Sequence, residues 1–445
     1  MSEILALLQV ITPLVSKTTV RQMGHVIYGL LVSTRRITTL ELSRWTDRGG
    51  SYRTLQRWYH SRLPWLAVMW LLFTQKLWCS GHEYIAAGDE VVFGKAGHET
   101  YGLGRFFSSL QQRAIPGLCF FAFSLIDVQE RHSYPIQVVQ VVKDKSEKKK
   151  PAPAPTVKPT PRRVGRPKGS KSKTGKPPSL SAELLRIQPI LQAFLGVVAS
   201  VTSVHYLALD GHFGNFPSAW LVLQTGLELV SKFRHDAALY ELFTGKYRGR
   251  GPHPKYGAKV DVHQMKKKFL KSDMVTDGLR TQIYQAAWLN KEFALPLNVV
   301  VILKTNLASQ AQAHVILFTT DPKLAYEKVI EFYSLRFQIE FNFRDAKQYW
   351  GLDDFMNVKE VAVTNAANLS FFMVNFSAIL LKHFQDLNPD FSVLDLKAHY
   401  RGCRYVVETL KLLPKKPDAI LLTTIFEQIA RLGMIHPAFA LSLTS

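Results

Sequence analysis

The first 80 residues carry apolar side chains at helical spacing and predict a set of short amphipathic helices. Residues 39–45 form one helix candidate. Ser51 is placed to cap a second one, in which Leu55, Trp58 and Tyr59 have the i, i+3, i+4 spacing of a buried face. Two glycines at positions 49 and 50 predict a turn between these helices.

The second helix of this pair has a basic face. Arg53, Gln56 and Arg57 point away from its apolar side chains. A helix, a glycine turn and a basic second helix are typical of the helix-turn-helix, whose second helix enters the major groove of DNA. An ordinary helical hairpin has the same pattern, and this segment alone does not decide between the two.

From residue 84 onward the apolar positions form short runs that are typical of strands. Helical spacing returns in residues 182–198, 218–226 and 324–349, and most of the chain after residue 349 is also helical in pattern. Strands interleaved with helices predict an α/β core over residues 84–350. The strand candidates are residues 84–87, 116–127, 134–142, 204–209, 227–233, 282–288, 297–304 and 314–319.

The longest apolar stretch, residues 361–381, contains three asparagines and two serines and predicts a buried helix rather than a membrane span. The chain starts without the pattern of a secretory signal, so we expect a cytoplasmic protein.

Its three cysteines form no CxxC pair, and the histidines show no ligand spacing. Both observations argue against a disulfide framework and against a zinc site.

The net charge of +22 indicates a polyanionic partner, and nucleic acid is the commonest one. Half of this charge lies in residues 143–178, which hold thirteen Lys or Arg and two acidic residues. Eight prolines fall between Pro151 and Pro178, so this segment is expected to be a mobile linker.

The linker contains a candidate AT-hook around the sequence Gly165-Arg166-Pro167-Lys168, with Arg163 just before it. An extended Arg-Pro segment is thin enough for the ~6 Å minor groove of A·T-rich DNA, whose negative potential attracts arginine. The alternative is a polybasic linker that contacts phosphates alone.

Candidate chemistry is carried by three carboxylates. Asp89 and Asp210 each follow a short apolar strand. On the helical wheel of residues 324–349, Glu340 shares a charged strip with Arg336, and apolar side chains separate it from a second polar strip. That second strip is expected to face solvent and consists of Glu331, Ser334, Gln338, Asn342 and Asp345.

An exposed Arg336–Glu340 ion pair, worth ~0.3–0.5 kcal/mol, is the simpler explanation of the first strip. It does not explain why aromatic residues border the charges, because partly buried charges need partners. The two aspartates would provide them through shared divalent metal ions.

The spacing Tyr333-x2-Arg336-x3-Glu340-x6-Lys347 resembles the Y-R-E-K signature of a large superfamily of bacterial insertion-sequence transposases. Residues 88–97 resemble the segment around its first aspartate, and residues 207–211 resemble its second-aspartate strand. The resemblance covers residues 84–385 well and the N-terminal region loosely. Glu90-Val-Val, after the first aspartate, departs from the small polar residue of many relatives.

The resemblance implies a ribonuclease-H-like core, interrupted by a β-rich insertion before the glutamate helix. Asp89, Asp210 and Glu340 would bind two Mg²⁺ ions, ~3.5–4 Å apart, and Mn²⁺ would substitute. Tyr333, Arg336 and Lys347 would hold transposon-end phosphates. Trp288 could stack an extruded base, although a tryptophan in the core is the commoner arrangement.

The implied activity is metal-dependent DNA cleavage and strand transfer by a homodimer on transposon ends. A catalytically silent DNA-binding protein, and a nuclease without strand transfer, are the alternatives. The expected regions are a helical DNA-binding region (1–80), the first part of the core (81–142), the linker (143–180), the second part of the core (181–233), the insertion (234–322), the glutamate helix with its successor (323–385) and a C-terminal helical region (386–445).

Overall fold

The computed structural model describes residues 1–46, 49–109, 111–143, 177–246, 249, 253–293, 295–386 and 388–436. The helices are α1 (Ser2–Leu8), α2 (Lys17–Val32), α3 (Thr39–Trp45), α4 (Tyr52–Tyr59), α5 (Trp65–Lys76), α6 (Ala182–Val198), α7 (Phe216–Leu223), α8 (Tyr326–Leu335), α9 (Gln338–Gln348), α10 (Glu360–Gln385), α11 (Val393–Leu412) and α12 (Ala419–Ala430). The strands are β1 (Tyr84–Gly94), β2 (Gly104–Ser108), β3 (Arg113–Asp127), β4 (His132–Gln140), β5 (Tyr206–Leu209), β6 (Glu228–Lys232), β7 (Leu239–Leu242), β8 (Tyr256–Lys259), β9 (Leu270–Thr276), β10 (Leu279–Asn290), β11 (Leu297–Asn306) and β12 (Gln312–Thr319).

The predicted N-terminal helix pair is present as α3 and α4. The Ser51 hydroxyl accepts from the N–H of Thr54, as expected of a helix cap. Leu55, Trp58 and Tyr59 are buried, whereas Arg53, Gln56 and Arg57 are exposed. The pair packs against α2, so α4 presents its basic face on the outside of a three-helix unit.

The strands form one mixed sheet of twelve strands. Along its main path the order is β2-β3-β1-β5-β6-β12-β11-β10-β7-β8; β4 pairs with β3 and β9 with β10. β1 is antiparallel to β3 but parallel to β5, and β5 is parallel to β6. The strands β7–β12 lie between β6 and α8 in sequence and extend the sheet through an antiparallel β6–β12 pair.

Helices cover both faces of this sheet. Successive residues of β1 alternate between two hydrophobic clusters, with Ile85 and Ala87 in one and Tyr84 and Ala86 in the other. The first cluster holds the N-terminal helices and α8–α11, and the second holds α6 and α7. This mixed α/β architecture is consistent with the fold of a ribonuclease-H-like nuclease.

The apolar stretch at residues 361–381 lies within α10. This helix is long and apolar enough to cross a membrane, but 83% of its most apolar window is buried inside the protein. One of its asparagines, Asn365, accepts from the Trp65 indole at 2.7 Å and donates to the carbonyl of Tyr59 at 2.8 Å. The prediction of a buried helix is confirmed.

Two predictions about secondary structure were wrong. Asp89 lies inside β1, which continues to Gly94 because the apolar residues Val91 and Phe93 extend the pairing with β3. The continuous helix predicted over residues 324–349 is two helices, α8 and α9, separated at Arg336 and Phe337.

Candidate active site

The pairing of β1 with β5 brings the two aspartates together. Gly88 is level with Leu209 in this parallel pair, and the residue that follows each of them in the chain is an aspartate. Asp89 is held by the N–H of Glu90 at 2.8 Å. Asp210 lies just after β5, where its carboxylate caps a 3₁₀ turn by accepting from the N–H of His212 at 3.0 Å.

The break between α8 and α9 positions the third carboxylate. Around it the backbone hydrogen bonds tighten to i→i−3, from Phe337 to Ser334 at 3.1 Å and from Glu340 to Phe337 at 3.0 Å. Arg336 therefore lies at the C-terminal end of α8 and Glu340 in the first turn of α9. Each helix dipole favours the charge found at that end.

Arg336 bridges two of the three carboxylates. Its Nη1 donates to Asp89 Oδ2 at 3.0 Å, and its Nη2 donates to Glu340 Oε1 at 3.2 Å. The residue is 9% exposed, and its Nε has no hydrogen-bond partner among the described residues. The guanidinium is thus the counter-charge of the site, with one donor left over inside it.

The electrostatics of the site raise the pKa of Asp89 to about 6. Burial is the main cause, because it disfavours the charged carboxylate. The charge of Arg336 opposes this shift, whereas Asp210 and Glu340 add to it. An aspartate whose charge is destabilised by burial and by two nearby carboxylates forms a ready site for a cation.

The remaining two residues of the Y-R-E-K spacing flank this bridge. The Arg336 guanidinium lies 5.8 Å from the centre of the Tyr333 ring. Lys347 donates to the Val92 carbonyl at 3.1 Å, which ties α9 to β1. Burial raises the pKa of Tyr333 and lowers that of Lys347.

Asp89, Asp210 and Glu340 line one cleft of about 710 Å³. A comparison with protein-family models matches residues 7–292 to the DDE superfamily endonucleases, close to two thirds of the chain. The chain belongs to this family. The matched part contains both aspartates and ends before the helix with Glu340. A comparison with curated proteins gave no match.

Membership of the DDE endonucleases supports a nuclease that acts on DNA with divalent metal ions. The site fits such ions, because its donors are carboxylate oxygens, which Mg²⁺ prefers. Asp89, Asp210 and Glu340 would hold them.

Sequence reasoning missed Arg344 on α9, which lines the cleft, and His212, which lines a neighbouring cleft that also contains Asp89 and Asp210. His212 Nε2 lies 3.0 Å from a carboxylate oxygen of Glu183, and this hydrogen bond raises the pKa of His212 to about 8. Arg344 is one turn after Glu340, so the helical wheel contained its signal. His212 had no such signal, since Glu183 lies in α6.

The candidate DNA contacts on arginine and lysine outside the cleft fall into two groups. Arg53 and Arg57 are exposed on α4. Arg163, Arg166 and Lys168 of the candidate AT-hook lie outside the described residues.

Trp288 requires a correction. It is 1% exposed in β10, and the centres of its ring and the Phe269 ring are 5.3 Å apart. The structure places it in the core, which does not support the stacking of an extruded base on this residue.

The second polar strip of the glutamate helix also differs from the prediction. Asn342 was expected to face solvent but is buried, and its amide donates to the hydroxyls of Ser124 and Ser133. The strip is therefore partly a contact of α9 with the sheet.

Proposed function

We propose that this DDE endonuclease is a transposase, which cleaves DNA at the ends of an insertion sequence and joins the freed 3′ ends to a target. The observation that carries the proposal is the convergence of Asp89, Asp210 and Glu340 in one cleft, where Arg336 bridges Asp89 and Glu340 at the Y-R-E-K spacing. Catalytic silence is the less favoured alternative, because all three carboxylates are present and share one cleft.

Bound divalent metal ions would supply a nucleophile at neutral pH and stabilise charge on the scissile phosphate. The chain itself provides the three carboxylates and fixes their positions. Asp89 is fixed by the β1–β3 and β1–β5 pairings, Asp210 by its turn, and Glu340 by the first turn of α9. Pairs of Mg²⁺ ions, or Mn²⁺ in their place, fit this oxygen donor set.

Three further residues are proposed to hold the DNA end. Arg336 lines the cleft, and its planar guanidinium suits a phosphate. Tyr333 and Lys347 lie beside it at the spacing already described. These contacts would fix the register of the DNA without reading its sequence.

The basic residues around the cleft suggest where the DNA lies. Lys143 and Arg186 line a neighbouring cleft that also contains Asp89 and Asp210. Lys232 and Arg234 line a third one next to Asp210. We propose that DNA follows this line, while α4 enters a major groove and the linker hook holds A·T-rich DNA nearby. Such contacts make affinity depend on salt.

A transposase must bring two ends together, so we propose a homodimer on DNA. The C-terminal helix α12 is the candidate surface, because Ile420 is 83% exposed and Leu421 is also exposed. In a cell the protein would act in the cytoplasm, on nucleoid DNA.

Strand transfer tests the proposal. Labelled duplexes from the DNA that flanks the reading frame, already cut at their 3′ ends, are incubated with a target plasmid and Mg²⁺. We expect their covalent insertion into the plasmid by the wild type but not by Glu340→Gln. Mg²⁺-dependent cutting without insertion would show that the protein is a nuclease without strand transfer. Binding without cutting would show that it is a catalytically silent DNA-binding protein.

A further inference from the structure

A second cluster of metal-binding side chains lies at the start of β1, away from the carboxylate cleft. The Sγ of Cys79, a ring nitrogen of His82 and a carboxylate oxygen of Asp127 all lie within 4.8 Å of one another. Asp127 ends β3 and is level with Tyr84, the first residue of β1. We propose that Cys79, His82 and Asp127 form a zinc site, separate from the carboxylate cleft.

A tight turn brings the first two ligands together. His82 donates its N–H to the Cys79 carbonyl at 3.4 Å, which closes a four-residue turn. Its third residue, Gly81, has a φ of +83°, a conformation that favours glycine. A tight turn between two ligands with two residues between them is common in structural zinc sites.

The third ligand is held ready by the backbone. Asp127 Oδ1 accepts from the N–H groups of Gln129 and Glu130, both at 3.0 Å. Its Oδ2 lies 2.6 Å from Nδ1 of His82. The Asp127 side chain is 1% exposed, so its charge needs a partner inside the protein.

A simple ion pair between Asp127 and protonated His82 is the alternative. That pair explains two of the three residues but gives no role to Cys79, whose thiol has a weak contact with the Leu77 carbonyl at 3.8 Å. A tetrahedral zinc ion, with ligands at ~2.0–2.3 Å, uses all three donors and leaves one position for water.

The donor set selects zinc over magnesium. Thiolate sulfur and imidazole nitrogen are softer ligands than the oxygens of the carboxylate cleft. On binding, the Cys79 thiol releases its proton to solvent and His82 is neutral, so thiolate and carboxylate together balance the Zn²⁺ charge. The ion would join the loop between α5 and β1 to the turn after β3, and so fasten the N-terminal helices to the sheet.

Cobalt titration of the full chain tests the site, because a cobalt–thiolate bond gives a charge-transfer absorption that carboxylates do not. The protein is stripped with chelator and titrated with Co²⁺ in excess Mg²⁺, which occupies the carboxylate cleft. We expect the thiolate band to saturate at one Co²⁺ per chain and to disappear when Zn²⁺ is added. Cys79→Ser should remove the band.

Cys403→Ser is the matched control, since Cys403 lies 3.9 Å from His399 but belongs to no three-ligand cluster in the described part of the chain. It should keep the band.

His82→Gln provides a second variant if Cys79→Ser does not fold. In the wild type and the control, Zn²⁺ should raise Tm; in His82→Gln it should not. A wild type without the thiolate band, or the same band in Cys79→Ser, would overturn the proposal. Neither result depends on DNA cleavage.

Discussion

Arg336, at the end of α8, donates a hydrogen bond to Asp89, in β1, at 3.0 Å. The same guanidinium reaches Glu340. One side chain therefore neutralises part of the charge that metal ions would otherwise neutralise. Arg336 therefore acts as the internal cation of the metal-free site.

Replacement of Arg336 by methionine tests this relationship. Without divalent metal, Arg336→Met should lower the free energy of unfolding by about 1–2 kcal/mol, because it leaves two partly exposed carboxylates without their counter-charge. Mn²⁺ should reduce the loss, since it supplies that charge. Urea denaturation with and without Mn²⁺ measures both effects.

The matched control is Arg280→Met, which removes an exposed arginine from an ion pair with Asp273 at 2.6 Å. This change should have little effect, with or without Mn²⁺. An equal loss of stability for Arg336→Met in both conditions would show that Arg336 does not substitute for the metal.

Metal binding should depend on pH through Asp89. Its carboxylate must be ionised to bind a cation, and its pKa is about 6. The Mn²⁺ affinity should be constant above this value and fall roughly tenfold per pH unit below it. Calorimetric titration between pH 5 and 8 measures this, and a constant affinity would contradict it.

The stability of the metal-free protein should change in the opposite sense. The raised pKa means that folded Asp89 holds a proton at a pH where the unfolded chain has lost it. The proton on Asp89 therefore contributes to the free energy of unfolding. This contribution is complete at a pH below the ordinary pKa of an aspartate, and it is lost as the pH rises through about 6. Asp89→Asn should lack this component in thermal unfolding measured over the same pH range.

His212 should be protonated at neutral pH because of Glu183. Its pKa is about 8, and Glu183→Gln should lower it by removing the carboxylate partner. Glu327→Gln, at an exposed position on α8, should leave it unchanged. Titration of the His212 ring signals by NMR gives these values. An unchanged pKa in Glu183→Gln would show that the hydrogen bond does not set it.

The sequence predicted most elements of the fold but not how they come together. The β1–β5 pairing joins residues more than 100 positions apart, and no pattern along the chain predicted it. The need of partly buried charges for partners, and the resemblance to transposases, suggested that Asp89 and Asp210 share one site. The break at Arg336 and Phe337 had no signal, since neither residue is a helix breaker. It lies inside the Y-R-E-K spacing itself.

The cluster of Cys79, His82 and Asp127 shows the same limit. Isolated cysteines argued against zinc, because sequence spacing reveals ligands only when they are near one another in the chain. Asp127 becomes a neighbour of His82 through the β1–β3 register, 45 residues away. The spacing Cys79-x2-His82 was the one available signal.

The linker hook gives a prediction about DNA preference. Arg166→Ala combined with Lys168→Ala should weaken binding, flatten its salt dependence and reduce the preference for A·T-rich over G·C-rich duplexes. Cleavage at saturating DNA should change little. Salt titrations of binding to matched A·T-rich and G·C-rich duplexes measure these effects. An equal loss of affinity on both duplexes would show that the segment is a polybasic linker and not a hook.

The most direct test of the account is Mg²⁺-dependent nicking of a supercoiled plasmid. Asp89→Asn, Asp210→Asn and Glu340→Gln should each lower the rate roughly a thousandfold or more, while binding the plasmid almost as well as the wild type. The control is Glu331→Gln. Glu331 lies in α8, where it pairs with Lys328 and does not line the cleft, so this variant should cut normally. Robust nicking by any of the first three variants would remove that carboxylate from the site and contradict the three-carboxylate assignment.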